Sequence, residues 1–309
     1  MNKLKMYGGV ALVLMLFVVS GCGSVPQSDT ADAKAVQEGI TKFYYDVNSA
    51  SYEVKVNGDV VTDVENSDNV KFDLTANGDV DNSDPKTPQF SLILAAKGTL
   101  GEGTEQSFSG ELKVDPINLY FIINNISDFD GQVPAEMVAQ FLGKWWSMPI
   151  PPDTFTALDV KSDMTPEQVQ IKELAMNTNF FKDVAYVGEE QIMGENTKKY
   201  SAVVNKEGIK TFTVEAAKLD PNIPDPTDSD LAEFDAFLET FDLSAELFIG
   251  VNDNMMRGIN GELTMRPAEG GSALINFEFS FGKINEEVVI EAPVGAEEFD
   301  PMMLLGGGF

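Results

Sequence analysis

The sequence has no histidine, and a single cysteine in 309 residues. The first absence removes His-based triads, His-ligated zinc and imidazole acid–base chemistry. The second removes internal disulfides, thiol catalysis and cysteine metal sites. Basic residues are scarce as well: 21 Lys+Arg stand against 50 Asp+Glu, a formal charge of −29. So acidic a chain repels nucleic acid and anionic head groups, and no nucleic-acid partner is expected. No apolar run reaches the roughly 20 residues that cross a bilayer as a helix. There is no GxSxG elbow, no GxxxxGK[ST] loop and no GxGxxG opening a helix. Carboxylates alone remain as candidate catalysts, and among 50 acids chance pairs are certain. The expectation is a non-enzyme with no catalytic residue, no cofactor and no metal.

What is present begins at the N-terminus. Met1-Asn2-Lys3-Leu4-Lys5 is a short basic start, residues 8–19 are apolar, and Val19-Ser20-Gly21-Cys22 follows. That is the anatomy of an export signal. The tetrapeptide resembles the lipobox of bacterial lipoproteins. The resemblance implies diacylglycerol on the Cys22 sulfur and cleavage between Gly21 and Cys22. The alternatives are a secretory signal with a chance cysteine, or an uncleaved anchor. The only cysteine standing at the cleavage site favours the lipobox. Losing Lys3 and Lys5 leaves 19 bases against 50 acids. Surface charge would not hold such a protein on a membrane, so the lipid on Cys22 must, helped by acylation of the new amine. The expected location is the extracytoplasmic face of a cell membrane, as a monomer. Gly23 stands where an inner-membrane retention aspartate is often found.

Residues 22–33 are small and polar and read as a flexible tether. A helix is predicted from Ala33 to Val47, with Val36, Ile40, Phe43 and Tyr44 on one face. The period then becomes two. Tyr52, Val54 and Val56 alternate with Glu53 and Lys55, and Val70, Phe72 and Leu74 with Lys71 and Asp73. Phe90, Leu92 and Leu94 follow, then Phe108, Gly110, Leu112 and Val114. Strands wet on one face suit antiparallel sheets. Short helices are predicted at 134–141, after a Thr165–Gln168 capping box, over 209–218 and from Asp230. A hairpin turns at Met193-Gly194, and four strands end the chain, the last at Val288–Glu291. The reading is one α+β domain over 34–300 with a loose tail at 301–309. Its expected form is an open antiparallel half-barrel, a curved sheet with helices packed on the concave face.

Val187-Gly188-Glu189-Glu190 with Gly194-Glu195-Asn196-Thr197-Lys198-Lys199-Tyr200 is similar to a hairpin of lipid-handling lipoproteins. These are the relatives of the carriers LolA and LolB and of the mycobacterial LppX and LprG group. Leu247–Val251, Arg257–Met265, the ending Val288-Val289-Ile290-Glu291-Ala292-Pro293 and the step Gly143-Lys144-Trp145-Trp146 resemble the same group. The resemblance implies the half-barrel fold and the holding of acyl chains between sheet and helices. The acidic loop 220–230 departs from it.

The candidate ligand cavity is lined by Phe72, Leu74, Phe90, Leu92, Leu112, Trp145, Phe234, Phe277 and Phe279. The same dry faces would serve a closed core, which leaves a structural, interaction or sensor lipoprotein as the alternative. Trp145-Trp146 could line a lipid mouth or stack on sugar, or split between core and surface. Two acidic loops have oxygens for calcium: Asp79, Asp81, Asn82, Ser83 and Asp84; and Asp225, Asp228 and Asp230. Each reads equally as structure, the first as a solvated loop and the second as a helix N-terminus.

Overall fold

A computed structural model of the chain describes residues 30–61, 69–84, 87–101, 103–127, 139–151, 154, 166–219, 226–266 and 270–300. The signal and Cys22, Thr165, Asp220–Asp225 and the tail at 301–309 lie outside them. The chain divides into two compact units, Met1–Val47 with Asp163–Ala268, and Asn48–Ser162 with Glu269–Phe309.

The first unit holds helices α1 (Ala31–Asp46), α2 (Pro166–Asn177), α3 (Lys206–Leu219) and α4 (Asp228–Glu239). Its strands are β7 (Phe181–Ile192), β8 (Glu195–Val204), β9 (Phe241–Gly250) and β10 (Met256–Met265), ordered β10-β9-β8-β7 and all antiparallel. The predicted tether is shorter than expected. Thr30 accepts from the Ala33 N–H and caps α1, so helix replaces the end of the tether. Val36, Gly39 and Ile40 form its buried stripe. A Cβ on Gly39 would stand 2.6 Å from Ile249 Cδ1 and 3.2 Å from the Asn254 carbonyl oxygen, so the bare glycine eases the close approach of this helix to β9. α4 begins earlier than read from the sequence. Thr227 and Asp230 make a reciprocal capping box, which puts Asp230 inside the first turn. The β7–β8 hairpin turns on Met193 (φ 48) and Gly194 (φ 87), the left-handed pair of a two-residue loop. Leu247 and Phe248 are fully buried, and Ile249, Met256 and Ile259 nearly so. This unit has a closed core.

The second unit is almost all strand: β1 (Ser49–Val61), β2 (Val70–Asp81), β3 (Gln89–Leu100), β4 (Gln106–Val114), β5 (Asn118–Ile126), β6 (Trp146–Pro149), β11 (Ser272–Gly282) and β12 (Glu297–Glu298). Their order is β12-β6-β5-β4-β3-β2-β1-β11. Every pairing is antiparallel except β12 with β6. Among its described residues the only helical ones are 139–141, the end of the predicted 134–141 helix. The fold class is the expected one, α+β with an unclosed antiparallel sheet and few helices.

The predicted last strand, Val288–Glu291, is not a strand. Asn285 takes a left-handed conformation (φ 58), its N–H donates to the Ser49 carbonyl, and the Ser49 hydroxyl donates to the Glu286 carbonyl. These bonds turn the chain after β11. Val288 and Ile290 still alternate half-buried with exposed Val289, which is why the segment reads as a strand. The ladder is formed instead by Glu297 and Glu298.

Candidate functional site

The registers of the second unit place its apolar alternation on one face. Directly opposed residues share a face, as do residues two apart on a strand. One row runs Phe279, Val54, Ala76, Leu94, Gly110, Ile123 across β11, β1, β2, β3, β4 and β5. A second runs Phe277, Val56, Leu74, Ala96, Phe108. A third runs Leu92, Leu112, Phe121, Trp146. The other face carries Glu53, Lys55, Asp73, Thr75, Lys97 and Lys113. Ile93, which breaks the sequence alternation, belongs to that polar side and is 47 % exposed.

Seven of the predicted lining residues meet on this single apolar face: Phe72, Leu74, Phe90, Leu92, Leu112, Phe277 and Phe279. All but Phe277 are half-buried. This sets the face apart from the closed core of the first unit, where Phe248 is 0 % exposed. Phe234 belongs to the first unit; it is a buried core residue of α4, stacked near Phe237. Trp145 is not on the face. The Lys113 ammonium, from the polar side, sits 5.6 Å from its ring centroid. Trp146 takes the place, buried in a cluster with Phe121, Phe141 and Phe299. Only the register decides which of two adjacent tryptophans turns inward. Leu94, Phe108 and Phe121 also lie on this face and are not among the predicted residues. The i, i+2 spacing of Leu119, Phe121 and Ile123 is the signal that would have found β5.

Two tyrosines hold the sheet's geometry. Tyr52, opposite Gly78, donates from its hydroxyl to the Ser91 carbonyl at 2.8 Å, while the Ser91 hydroxyl accepts from the Asp79 N–H. A Cβ on Gly78 would lie 1.9 Å from that same Ser91 oxygen. β2 and β3 therefore touch here, and the phenol covers the glycine. Burial first, and the nearby Asp79 carboxylate second, push the Tyr52 pKa above its ordinary value. Tyr120 donates to Asp115 Oδ2 at 3.0 Å and fastens the β4–β5 turn; burial and then that carboxylate raise its pKa too. Both phenols stay neutral at physiological pH and serve as donors.

The acidic loops are used structurally. Asp79 accepts from the Ser51 hydroxyl, and Asp81 Oδ1 accepts from the Ser83 N–H at 2.9 Å. Asp230 caps α4, and Asp225 lies outside the described residues. Among the described residues no three acidic side chains converge as a metal site would require.

No family model and no curated protein matches the chain. Three solved structures are similar to it. The Mycobacterium tuberculosis lipoprotein LppX is 16 % identical, with a TM-score of 0.32 over 85 % of this chain and 100 % of that one. LprF from Mycobacterium bovis is 14 % identical, with a TM-score of 0.36 over 88 % and 100 %. A β-barrel-like protein of a domain of unknown function from Brucella abortus is 7 % identical, with a TM-score of 0.23 over 76 % and 99 %. LppX is one of the group named above. At such scores no residue role passes from these proteins to this chain.

Proposed function

We propose that this chain is a membrane-anchored lipoprotein that binds a lipid or similar hydrophobic ligand on the apolar face of the strands of its second unit. The observation that carries it is a broad apolar face left half-buried, where β9 and β10 of the other unit carry side chains only 0–1 % exposed. Contiguous, incompletely buried apolar surface on an otherwise highly charged protein suits a binding surface. Completing the burial of a Leu or Phe side chain of which up to a third remains exposed is worth roughly 0.5–1 kcal/mol. A row of such residues suits a long acyl chain, which offers methylenes and no polar group along its length. Cys22 supplies the anchor, in keeping with the sequence. The net negative charge of the chain keeps the domain off anionic head groups, so the covalent lipid holds it at the bilayer.

Native mass spectrometry of the chain from Ser24 onward, purified without organic solvent from cells, tests this. The expected spectrum shows a fraction of the protein carrying an added mass that organic extraction removes and that fragments as a lipid. A spectrum of bare protein alone, with no uptake of lipid offered in micelles, would contradict it.

A further inference from the structure

Trp146 is 4 % exposed, and its indole Nε1–H has no acceptor among the described residues. It is the orphan donor of the apolar face. Its register partner is Phe121, in the row with Leu92 and Leu112, so the indole stands at the β6 end of the proposed lipid surface. Three phenyl rings surround it at 5.7–6.0 Å or through one another: Phe141, Phe299 and Phe121. A buried donor left without an acceptor is costly, and a site that keeps one gains when a ligand supplies the acceptor.

The surroundings say which acceptor fits. The Lys144 ammonium lies 5.8 Å from the Trp146 ring centroid and is paired at 3.8 Å with Glu297. Both side chains are more than half exposed, so the pair supplies no buried positive charge beside the indole to hold an anion. A free carboxylate or phosphate would be desolvated beside aromatic rings with one neutral donor to meet it. An ester carbonyl is an uncharged acceptor directly joined to acyl chains. Access requires one ring to move. Phe299 follows β12, whose hold on β6 is two residue pairs, with the Phe299 N–H donating to the Ser147 carbonyl at 2.8 Å. Phe299 is half-buried, whereas Phe141 and Trp146 are buried.

We propose that the Trp146 indole N–H donates to the carbonyl oxygen of an acyl ester that displaces the Phe299 ring, so that the ligand class is an esterified lipid rather than a free fatty acid or bare hydrocarbon. This rests on the lipid-binding reading above.

Calorimetric titration of the full chain compares dioctanoylglycerol with its diether analogue, dioctylglycerol, which lacks the two carbonyls. The diester is expected to bind about tenfold more tightly, the difference one well-placed hydrogen bond makes. Trp146→Phe brings the two affinities together. In the native chain the indole N–H proton resonance moves downfield with the diester and not with the diether, a readout independent of the variant's folding. Equal affinities for the two lipids in the native chain, or a Trp146→Phe loss shared equally by both, would overturn the inference and leave lipid binding standing. Failure of both lipids to bind would overturn the inference together with the reading beneath it.

Discussion

Leu92→Glu is expected to abolish uptake of a hydrophobic ligand while leaving the chain folded. Leu92 lies near the middle of the apolar face, opposite Leu112, and is half-buried. In the free protein a glutamate there keeps contact with water, and the stability loss is about 1–2 kcal/mol. With an acyl chain laid across the face the same carboxylate loses its water and gains no partner. That penalty is enough to weaken association by roughly 100-fold or more. A closed core answers differently. There the buried, unpaired charge would cost several kcal/mol and the domain would unfold. Circular dichroism melting and lipid titration of one variant thus separate a binding face from a structural core. A folded Leu92→Glu protein that still takes up lipid would contradict the assignment of the face.

Gly78→Ala is expected to be far more damaging than its single methyl suggests. Its Cβ would fall 1.9 Å from the Ser91 carbonyl oxygen and 2.7 Å from the carbonyl carbon, both backbone atoms that no rotamer change moves aside. β2 and β3 would have to separate locally, and with them the Tyr52–Ser91 hydrogen bond. The expected cost is roughly 3 kcal/mol, a fall in melting temperature on the order of 10 °C. Gly98→Ala is the control. It lies on the same pair of strands, but a Cβ there meets only the Lys71 carbonyl oxygen at 3.4 Å, an ordinary contact. It should melt within about 2 °C of the parent, since alanine suits an extended strand better than glycine does. Equal melting of the two variants would show that β2 and β3 are not in close contact at Gly78.

Local chemistry was readable from the sequence, and long-range register was not. Alternation of Val54 with Lys55, or Leu74 with Asp73, marks a one-sided strand from side-chain polarity alone. Seven residues of the apolar face could be named because each sits on such an alternation. Trp145 and Phe234 show where that signal stops. Polarity does not tell which of two adjacent tryptophans turns inward; pairing of Trp146 with Phe121 does. Phe234 has the same amphipathic signature as a lining residue, but it packs into a different unit. Val288–Glu291 failed for another reason. A half-buried extended segment and a hydrogen-bonded strand share one pattern, and the Ser49 bonds to Asn285 and Glu286 that part them come from far along the chain.

The central claim is that the apolar face of the second unit is where a lipid lies. Photolabelling tests it most directly: the protein takes up a glycerolipid bearing a diazirine on its acyl chain, is irradiated, digested and mapped by peptide mass spectrometry. The account predicts label on β2, β3, β4 and β11, centred on Leu74, Leu92, Leu112 and Phe277. Label confined to β7–β10 and the helices of the first unit, or none above an irradiated control protein, would contradict it.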